Sequence, residues 1–287
     1  MCVADWAGEV VDEVATRDVA VPYAFRVIGR MLGTPRADDA RLARLAQGVV
    51  GAEDPLRQMA EVPSDALRIA MIGLRDYFEA VAADRRAQPG DDLASLIANA
   101  TPHGAPMPHY ELISFFILMV TAGHDTAALA LSGGLEALLA HPDQLTRLSE
   151  QPELLDGAIE EILRWTTPVR HFMRTALCDM DINGQSILSG EALAPLFHSG
   201  NRDETVFEQA DRFMIDRKSN PHIAFGRGPH ICMGLHLARM EMRALLSELL
   251  RRTEQIVPAG RPRRIRSAFM GGVGSLPIRL VFRAARG

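Results

Sequence analysis

The amino-acid sequence predicts a mainly α-helical protein with a small β portion. Apolar residues recur at spacings of three and four, which is typical of helices, in four long segments: residues 64–86, 109–140, 152–165 and 234–252. Strand patterns are few, namely a DMDINGQSILSG segment that turns at Asn183 and Gly184, and SLPIRLVF near the carboxyl end. Glycine and proline punctuate the chain without forming linkers, so we expect residues 1–287 to form a single domain.

Composition and charge exclude several classes of protein. The 287-residue chain is 47% hydrophobic and 23% charged, which is typical of a soluble globular protein. A net charge of -5, without a long run of like charge, argues against general nucleic-acid binding. Cys2, Cys178 and Cys232 are too far apart for a disulfide framework or a paired zinc site. The amino end lacks the features of a secretory signal, so we expect a cytoplasmic protein.

One apolar stretch invites comparison with a membrane span. The run ISFFILMVTAG begins at Ile113 and stops at His124 and Asp125. It is shorter than the ~20 residues that cross a bilayer, and an aspartate in mid-membrane is unfavourable. We therefore predict a buried helix and no membrane association.

The segment FGRGPHICMG, residues 225–234, places Cys232 just before a predicted helix. The helix dipole stabilises a thiolate by only ~0.3–1 kcal/mol, whereas a coordinated metal deprotonates a thiol outright. Gly226, Gly228 and Gly234 allow tight turns and the close approach of a bulky group. These residues alone leave two interpretations open, a metal-bound cysteine and a buried structural one.

A polar pair interrupts the most apolar predicted helix. In VTAGHDTAA, Asp125 and Thr126 place a carboxyl group and a hydroxyl where a core would favour leucine. Ala122 and Gly123 remove side-chain bulk from the preceding turn, so that another group can lie close to the backbone. From the residues alone, a structural pair and a functional site are equally supported.

The segment EEILRW places Glu161 and Arg164 three residues apart on one predicted helix. An exposed pair of this kind contributes a few tenths of a kcal/mol, whereas loss of one partner of a buried pair costs roughly 3–5 kcal/mol. Taken alone, the spacing favours an exposed pair.

In their order along the chain, these motifs resemble those of cytochromes P450. F-G-x-G-x-H-x-C-x-G resembles the haem-ligand loop, A-G-x-D-T resembles the acid-alcohol pair of the distal helix, and E-x-x-R lies between them as it does in the family. The resemblance runs from about Val21 to Arg279. HFMRTA, SGNRDE and GLHLARMEMR are most similar to soluble bacterial members, in the branch that includes alpha-terpineol hydroxylase. A cytochrome P450 fold is therefore implied.

The resemblance also implies roles for individual residues. The side chains and backbone expected to contact haem b are Cys232, His230, Arg174, Phe225, Gly226, Ala122 and Gly123. Cys232 would be the axial thiolate ligand of the iron, and His230 and Arg174 would bind haem propionates. Asp125 and Thr126 would be catalytic as a proton relay. The residues expected to face the substrate are Val169, His171 and Phe172, and those of a structural triad are Glu161, Arg164 and Arg212.

The implied activity is that of a haem-thiolate monooxygenase. It would insert one atom of dioxygen into an apolar, terpenoid-like substrate, using electrons from NAD(P)H delivered by a ferredoxin-type partner and its reductase. Basic residues expected to rim the cysteine side, where an acidic ferredoxin would dock, are Arg217, Lys218, Arg227, Arg239 and Arg243.

The front of the chain departs from the family. Cytochromes P450 begin with a small sheet and several helices, whereas the matching segment starts near residue 18 here, so we expect the amino-terminal part to be missing. Two alternatives remain: a truncated chain with weak or no haem binding and no turnover, and a thiol redox sensor that uses Cys232.

Overall fold

The computed structural model describes residues 14–51, 54 and 62–283. Its α-helices are α1 (Thr16–Met31), α2 (Asp39–Val50), α3 (Pro63–Ala87), α4 (Leu93–Ala98), α5 (His109–Ala122), α6 (Asp125–Ala140), α7 (Pro142–Glu150), α8 (Leu155–Thr166), α9 (Phe197–Gly200) and α10 (Leu235–Arg252). Its strands are β1 (Val14–Ala15), β2 (Arg174–Thr175), β3 (Met180–Ile182), β4 (Gln185–Ile187), β5 (Ala192–Leu193), β6 (Thr253–Pro258), β7 (Arg263–Arg264), β8 (Val273–Ser275) and β9 (Pro277–Phe282). The predicted mainly α class with a small β portion is confirmed. Cys2 and the segment considered as a signal, residues 1–13, lie outside the described residues.

Two large apolar clusters and a small third one, of Leu129, Ile265 and Met270, form the core of the described residues. The first joins α6, α8 and α10 with strands near the carboxyl end, and includes Leu131, Ile162 and Leu246. The second joins α1, α2, α3 and α5 around Phe78 and Phe116, whose stacked ring centres lie 5.1 Å apart. Because α1 packs against both α6 and α2, it connects the two clusters.

The strands form small antiparallel sheets. β9 pairs with β1 and with β6, which follows α10 directly. β3 and β4 form the hairpin that the sequence predicts, and both turn residues, Asn183 and Gly184, have positive φ. β2 pairs with β5, and β7 with β8.

The apolar segment 109–140 is two helices instead of the single helix that its periodicity predicts. α5 ends before Gly123 and α6 begins at Asp125. Within the described chain it is the one segment long and apolar enough to cross a membrane, with a mean hydropathy of 1.6, and 61% of that window is buried inside the protein. α6 is buried along most of its length and contributes to the first cluster.

A glycine lies at the break between α5 and α6. A Cβ atom on Gly123 would lie 2.6 Å from the carbonyl oxygen of Met119 and 2.9 Å from Cγ1 of Ile28 on α1. The residue is therefore small because its own backbone and α1 occupy the space. The expectation that Gly123 also leaves room for a bound group stays a prediction.

Glu161 and Arg164 form a fully buried ion pair, which excludes the exposed alternative. Arg164 Nη2 lies 2.7 Å from Glu161 Oε1, and both side chains have 0% exposure. Arg164 also donates hydrogen bonds to the carbonyl oxygens of Asn201, Ala210 and Arg212. The pair thus fixes the irregular segment between α9 and α10 to α8.

The third arginine of this lock is Arg217, and the assignment to Arg212 is wrong. Arg217 Nε lies 3.0 Å from Glu161 Oε2, and the Arg217 side chain is 6% exposed. Arg212 is exposed; its guanidinium binds Gln209, and only its carbonyl oxygen reaches Arg164. The chain turns between the two arginines, so that the second one points inward.

Candidate functional site

A tight loop carries Cys232 to the start of α10. The Cys232 N–H donates to the carbonyl oxygen of Phe225 at 2.9 Å, and the Ile231 N–H donates to that of Gly228 at 3.0 Å. Gly226 and Gly228 have φ of 73° and 76°, which glycine adopts without strain. The loop therefore needs these two glycines to present the sulfur beside the helix terminus.

The thiol of Cys232 is held in its neutral form by its surroundings. Burial raises the pKa of Cys232, although the Gly234 N–H and the positive charge of Arg239 act in the opposite direction. A reactive free cysteine requires a lowered pKa, so this environment does not favour a thiol redox sensor. A metal ion would supply the missing stabilisation of the thiolate.

The carboxyl group and the hydroxyl at the start of α6 face different surroundings. Asp125 is fully buried, and Gln47 Nε2 lies 3.5 Å from its Oδ1. Thr126 is partly exposed, and its Oγ1 donates to the carbonyl oxygen of Ala122, itself exposed, at 3.0 Å. The break thus places a hydroxyl at an open surface and a carboxyl group directly behind it.

The two predicted propionate ligands are accessible. His230 is exposed at the end of the cysteine loop. Arg174, on β2, is partly exposed and donates to the carbonyl oxygen of Met173 at 2.9 Å. Within the described residues neither side chain forms an ion pair, so both remain available to acidic groups.

The predicted substrate residues lie in the segment after α8, next to an aromatic residue that sequence reasoning missed. The Phe172 and Phe269 rings meet edge to face at 5.2 Å, and His171 lies 6.1 Å from the same Phe269 ring. Val169 pairs through a bridge with Met270. Phe269 comes from a distant loop, and no local pattern marks it.

Three of the basic residues expected on the cysteine side form ion pairs within the chain. Arg217 binds Glu161, Arg239 binds Glu160 and Arg243 binds Asp156. Lys218 and Arg227 are exposed. Of the residues expected on a basic rim, Arg217 is therefore excluded because its side chain is only 6% exposed, whereas Arg239 and Arg243 remain at the surface as members of ion pairs.

A sequence model described as Cytochrome P450 matches residues 74–282. The chain belongs to the cytochrome P450 family. Haem, with its iron bound by a cysteine thiolate, is the prosthetic group of this family. Along the chain, the break between α5 and α6, the E-x-x-R pair and the cysteine loop thus follow one another in the order of a P450.

Curated relatives of this P450 come from bacteria. It is 35% identical over 269 residues to Cytochrome P450-terp of a Pseudomonas species, covering 91% of this chain and 63% of that protein. It is also 35% identical over 275 residues to linalool 8-monooxygenase of Pseudomonas putida, covering 96% of this chain and 66% of that protein. The chain therefore spans less than two thirds of the length of these relatives.

Solved P450 structures share the fold. The similarity to CYP108D1 from Novosphingobium aromaticivorans has a TM-score of 0.85 at 38% identity, covering 98% of this chain and 66% of that one. The similarity to Mycobacterium marinum CYP268A2, in complex with pseudoionone, has a TM-score of 0.91 at 34% identity, covering 96% and 67% of the respective chains. The predicted cytochrome P450 fold is confirmed, and the chain corresponds to part of it.

The residues present fit a haem. Ile231 and Met233, on either side of Cys232, are 50% and 68% exposed, and apolar side chains flanking a metal-binding sulfur match the apolar face of a porphyrin. Arg174 and His230 are suited to its two carboxylates. The small side chain of Ala122, the last residue of α5, is exposed next to the break between α5 and α6.

Proposed function

We propose that this chain is the catalytic core of a haem-thiolate monooxygenase that inserts one atom of dioxygen into an apolar substrate. The observation that carries the proposal is the Cys232 loop, in which two left-handed glycines and the start of α10 present a thiol between exposed apolar side chains. Electrons come from NAD(P)H through a ferredoxin-type partner and its reductase. The bacterial relatives support a cytoplasmic location.

The described residues include candidates for the iron ligand and for both haem propionates. Cys232 supplies the thiolate ligand, Phe225 and Gly226 shape the ligand loop, and Arg174 and His230 hold the propionates. Bound haem supplies the iron chemistry that activates dioxygen. The protein contributes orientation, exclusion of water and proton supply.

The break between α5 and α6 supplies protons. Asp125 is buried and adjacent to Thr126, whose hydroxyl lies at the partly exposed surface. The Thr126 hydroxyl donates its one proton to the carbonyl oxygen of Ala122; in the proposed relay it turns from that acceptor toward a group bound at the open surface, and a proton returns to it by way of Asp125. The pair is therefore proposed to act as a relay between the interior and the reaction site.

Substrates of terpenoid type suit the remaining wall of the site. Val169, His171, Phe172 and Phe269 form a mainly apolar surface after α8. The name linalool 8-monooxygenase and the pseudoionone complex of CYP268A2 associate two related proteins with small apolar molecules. We extend this substrate class to the present chain as part of the proposal.

The competing candidate is a P450 chain that holds haem weakly or not at all and has no turnover. It is favoured by the length of the chain, which spans 63% of Cytochrome P450-terp. An incompletely enclosed site admits water and would release reduced oxygen species.

A reduced, carbon monoxide difference spectrum of the purified 287-residue chain supplied with haem decides between them. The red-shifted Soret band of a thiolate-ligated iron is expected, because Cys232 is poised to bind it. Cys232→Ser is expected to lose that band, whereas the matched control Cys178→Ser, at an exposed cysteine, retains it. The absence of the band from the wild-type chain, or its persistence in Cys232→Ser, would refute the proposal.

A further inference from the structure

Two successive glutamates on α8 have different partners. Glu161 binds Arg164 and Arg217 in the buried lock described above. Glu160 points to the neighbouring segment, and its side chain remains 30% exposed. Nothing in the motif E-x-x-R assigns a role to this first glutamate.

Glu160 holds one residue before the cysteine loop and one after it. Its carboxylate accepts hydrogen bonds from Arg239 Nε at 2.6 Å and from Arg239 Nη2 at 2.7 Å. His222 Nε2 lies 3.0 Å from Glu160 Oε2. Because the Ala224 N–H donates to His222 Nδ1 at 3.3 Å, the proton of a neutral His222 ring sits on Nε2 and faces Glu160.

Both partners of Glu160 also touch the loop itself. The Arg239 guanidinium lies 4.8 Å from the ring centre of Phe225, and the His222 ring centre lies 5.9 Å from it. The carbonyl oxygen of Phe225 accepts the hydrogen bond of the Cys232 N–H. A continuous series of contacts thus runs from Glu160 through Phe225 to the backbone of Cys232.

The carboxylate is charged when it makes these contacts. Burial opposes its ionisation, but hydrogen bonds from Arg239 and His222 hold the pKa of Glu160 at about 2. A charged acceptor that receives three hydrogen bonds makes a stronger anchor than a neutral one.

We propose that Glu160 is a positioning residue that clamps both ends of segment 222–239 to α8 and thereby fixes the loop that carries Cys232. The inference rests on the proposed function only in giving that loop the task of holding haem. The clamp itself is a property of the polypeptide.

The same two helices provide a matched control. Asp156 and Arg243 form an ion pair between α8 and α10, one helical turn away from Glu160 and Arg239. Their side chains are 65% and 53% exposed, and no described contact connects them to the cysteine loop. Asp156→Asn therefore removes a bridge between the same helices without touching the clamp.

Amide hydrogen exchange, measured by mass spectrometry on the purified chain before and after haem is supplied, reads the loop directly. The Ile231 and Cys232 amides are bonded within the loop, and the Gly226 amide is bonded to Ile223 just before it. Glu160→Gln is expected to speed their exchange roughly tenfold, the effect of losing one charge-assisted hydrogen bond. Asp156→Asn is expected to leave their exchange unchanged. Equal exchange in Glu160→Gln and the wild type, or equal acceleration in both variants, would overturn the proposal.

A second variant guards against general loss of structure. Arg239→Gln, at a side chain that is 32% exposed, is expected to accelerate the same amides. Adding Glu160→Gln to Arg239→Gln should then have less effect than Glu160→Gln alone, because the two residues act as one unit. Fully additive effects would contradict the clamp. Since these measurements need no bound haem, failure of the chain to bind haem would refute the proposed function and leave this test intact.

In haem-loaded protein, loop opening has its own signature. Glu160→Gln is expected to lower the fraction of iron that gives the thiolate-type carbon monoxide band, whereas Asp156→Asn is not.

Discussion

Glu241 is an unusual residue of α10, because its carboxyl group is buried without compensation. The residue is 3% exposed, and within the described chain neither carboxyl oxygen has a hydrogen-bond partner. Burial raises the pKa of Glu241 to about 8. In the folded protein this carboxyl group is therefore largely protonated at neutral pH.

This shift makes stability depend on pH. The unfolded state ionises Glu241 near its ordinary pKa, and the folded state does so only near pH 8, so the contribution of this group is fully present in acid and is lost as pH rises toward 8. The loss is on the order of 4 kcal/mol. Relative to the wild type, Glu241→Gln is expected to gain stability between pH 5 and pH 8.

The measurement is urea denaturation of both proteins across this pH range. The control is Glu254→Gln, at an exposed glutamate on β6, whose stability should stay parallel to that of the wild type. If the difference in free energy of unfolding between Glu241→Gln and the wild type does not change with pH, Glu241 ionises normally in the folded protein.

At this scale the sequence identifies residues that stand in short motifs. Cys232, Asp125 and Glu161 are found by spacing, because the chemistry of each requires neighbours at fixed offsets. The roles of Arg217 and Phe269 could not be predicted from the sequence, since their partners are distant in the sequence. The direction of each side chain also depends on how an irregular segment turns.

At the scale of elements, α8 organises the segment that leads to the cysteine loop. Its lock predicts unequal effects for two arginines in that segment. Arg217→Met leaves Glu161 with a buried charge that lacks one partner and should lower the free energy of unfolding by about 3 kcal/mol. Arg212→Met removes only an exposed side chain, and its effect should stay within about 0.5 kcal/mol.

Chemical denaturation of the two variants tests this difference. The two substitutions remove the same charge and introduce the same side chain, so each serves as the control for the other. Equal destabilisation, or a larger effect at Arg212, would contradict the assignment of Arg217 to the lock.

The boundary between α5 and α6 shows why elements are predicted less well than motifs. The apolar pattern continues through residues 109–140, and it predicts one helix. At the break, Ile28 of α1, far away in the sequence, leaves no room for a side chain at position 123. Periodicity reports only local spacing, so it predicts that the segment is helical but not how the segment packs against a distant helix.

At the scale of the whole molecule, the fold class follows from the sequence because helical periodicity extends over most of its length. Which helix faces pack against one another does not follow from the sequence. The two apolar clusters and the role of α1 in joining them depend on packing between segments that share no local pattern. The expectation that Arg217 lies on a basic rim is wrong for the same reason, since composition does not tell which arginines are buried in ion pairs.

Docking of a redox partner is a property of the whole surface. We predict that the exposed residues Arg227 and Lys218 contribute to it. Arg227→Glu is expected to slow electron transfer from an acidic ferredoxin several-fold at low salt and to reduce its salt dependence, because exposed charges act mainly on association rates. Stopped-flow reduction measures both. Arg68→Glu, an equal charge reversal on α3, is the control. A rate and a salt dependence identical to those of the wild type would exclude this docking site.

The contact between Gly123 and Ile28 also limits how this chain can diverge. A side chain at position 123 requires both α1 to recede and the backbone carbonyl of Met119 to shift. A smaller residue at position 28 removes only one of these two obstacles, so position 123 is restricted to glycine more strongly than α1 alone would require. Because residue 123 precedes the buried carboxyl of Asp125 and the hydroxyl of Thr126, substitutions in α1 would displace the proposed relay although α1 contributes no residue to it.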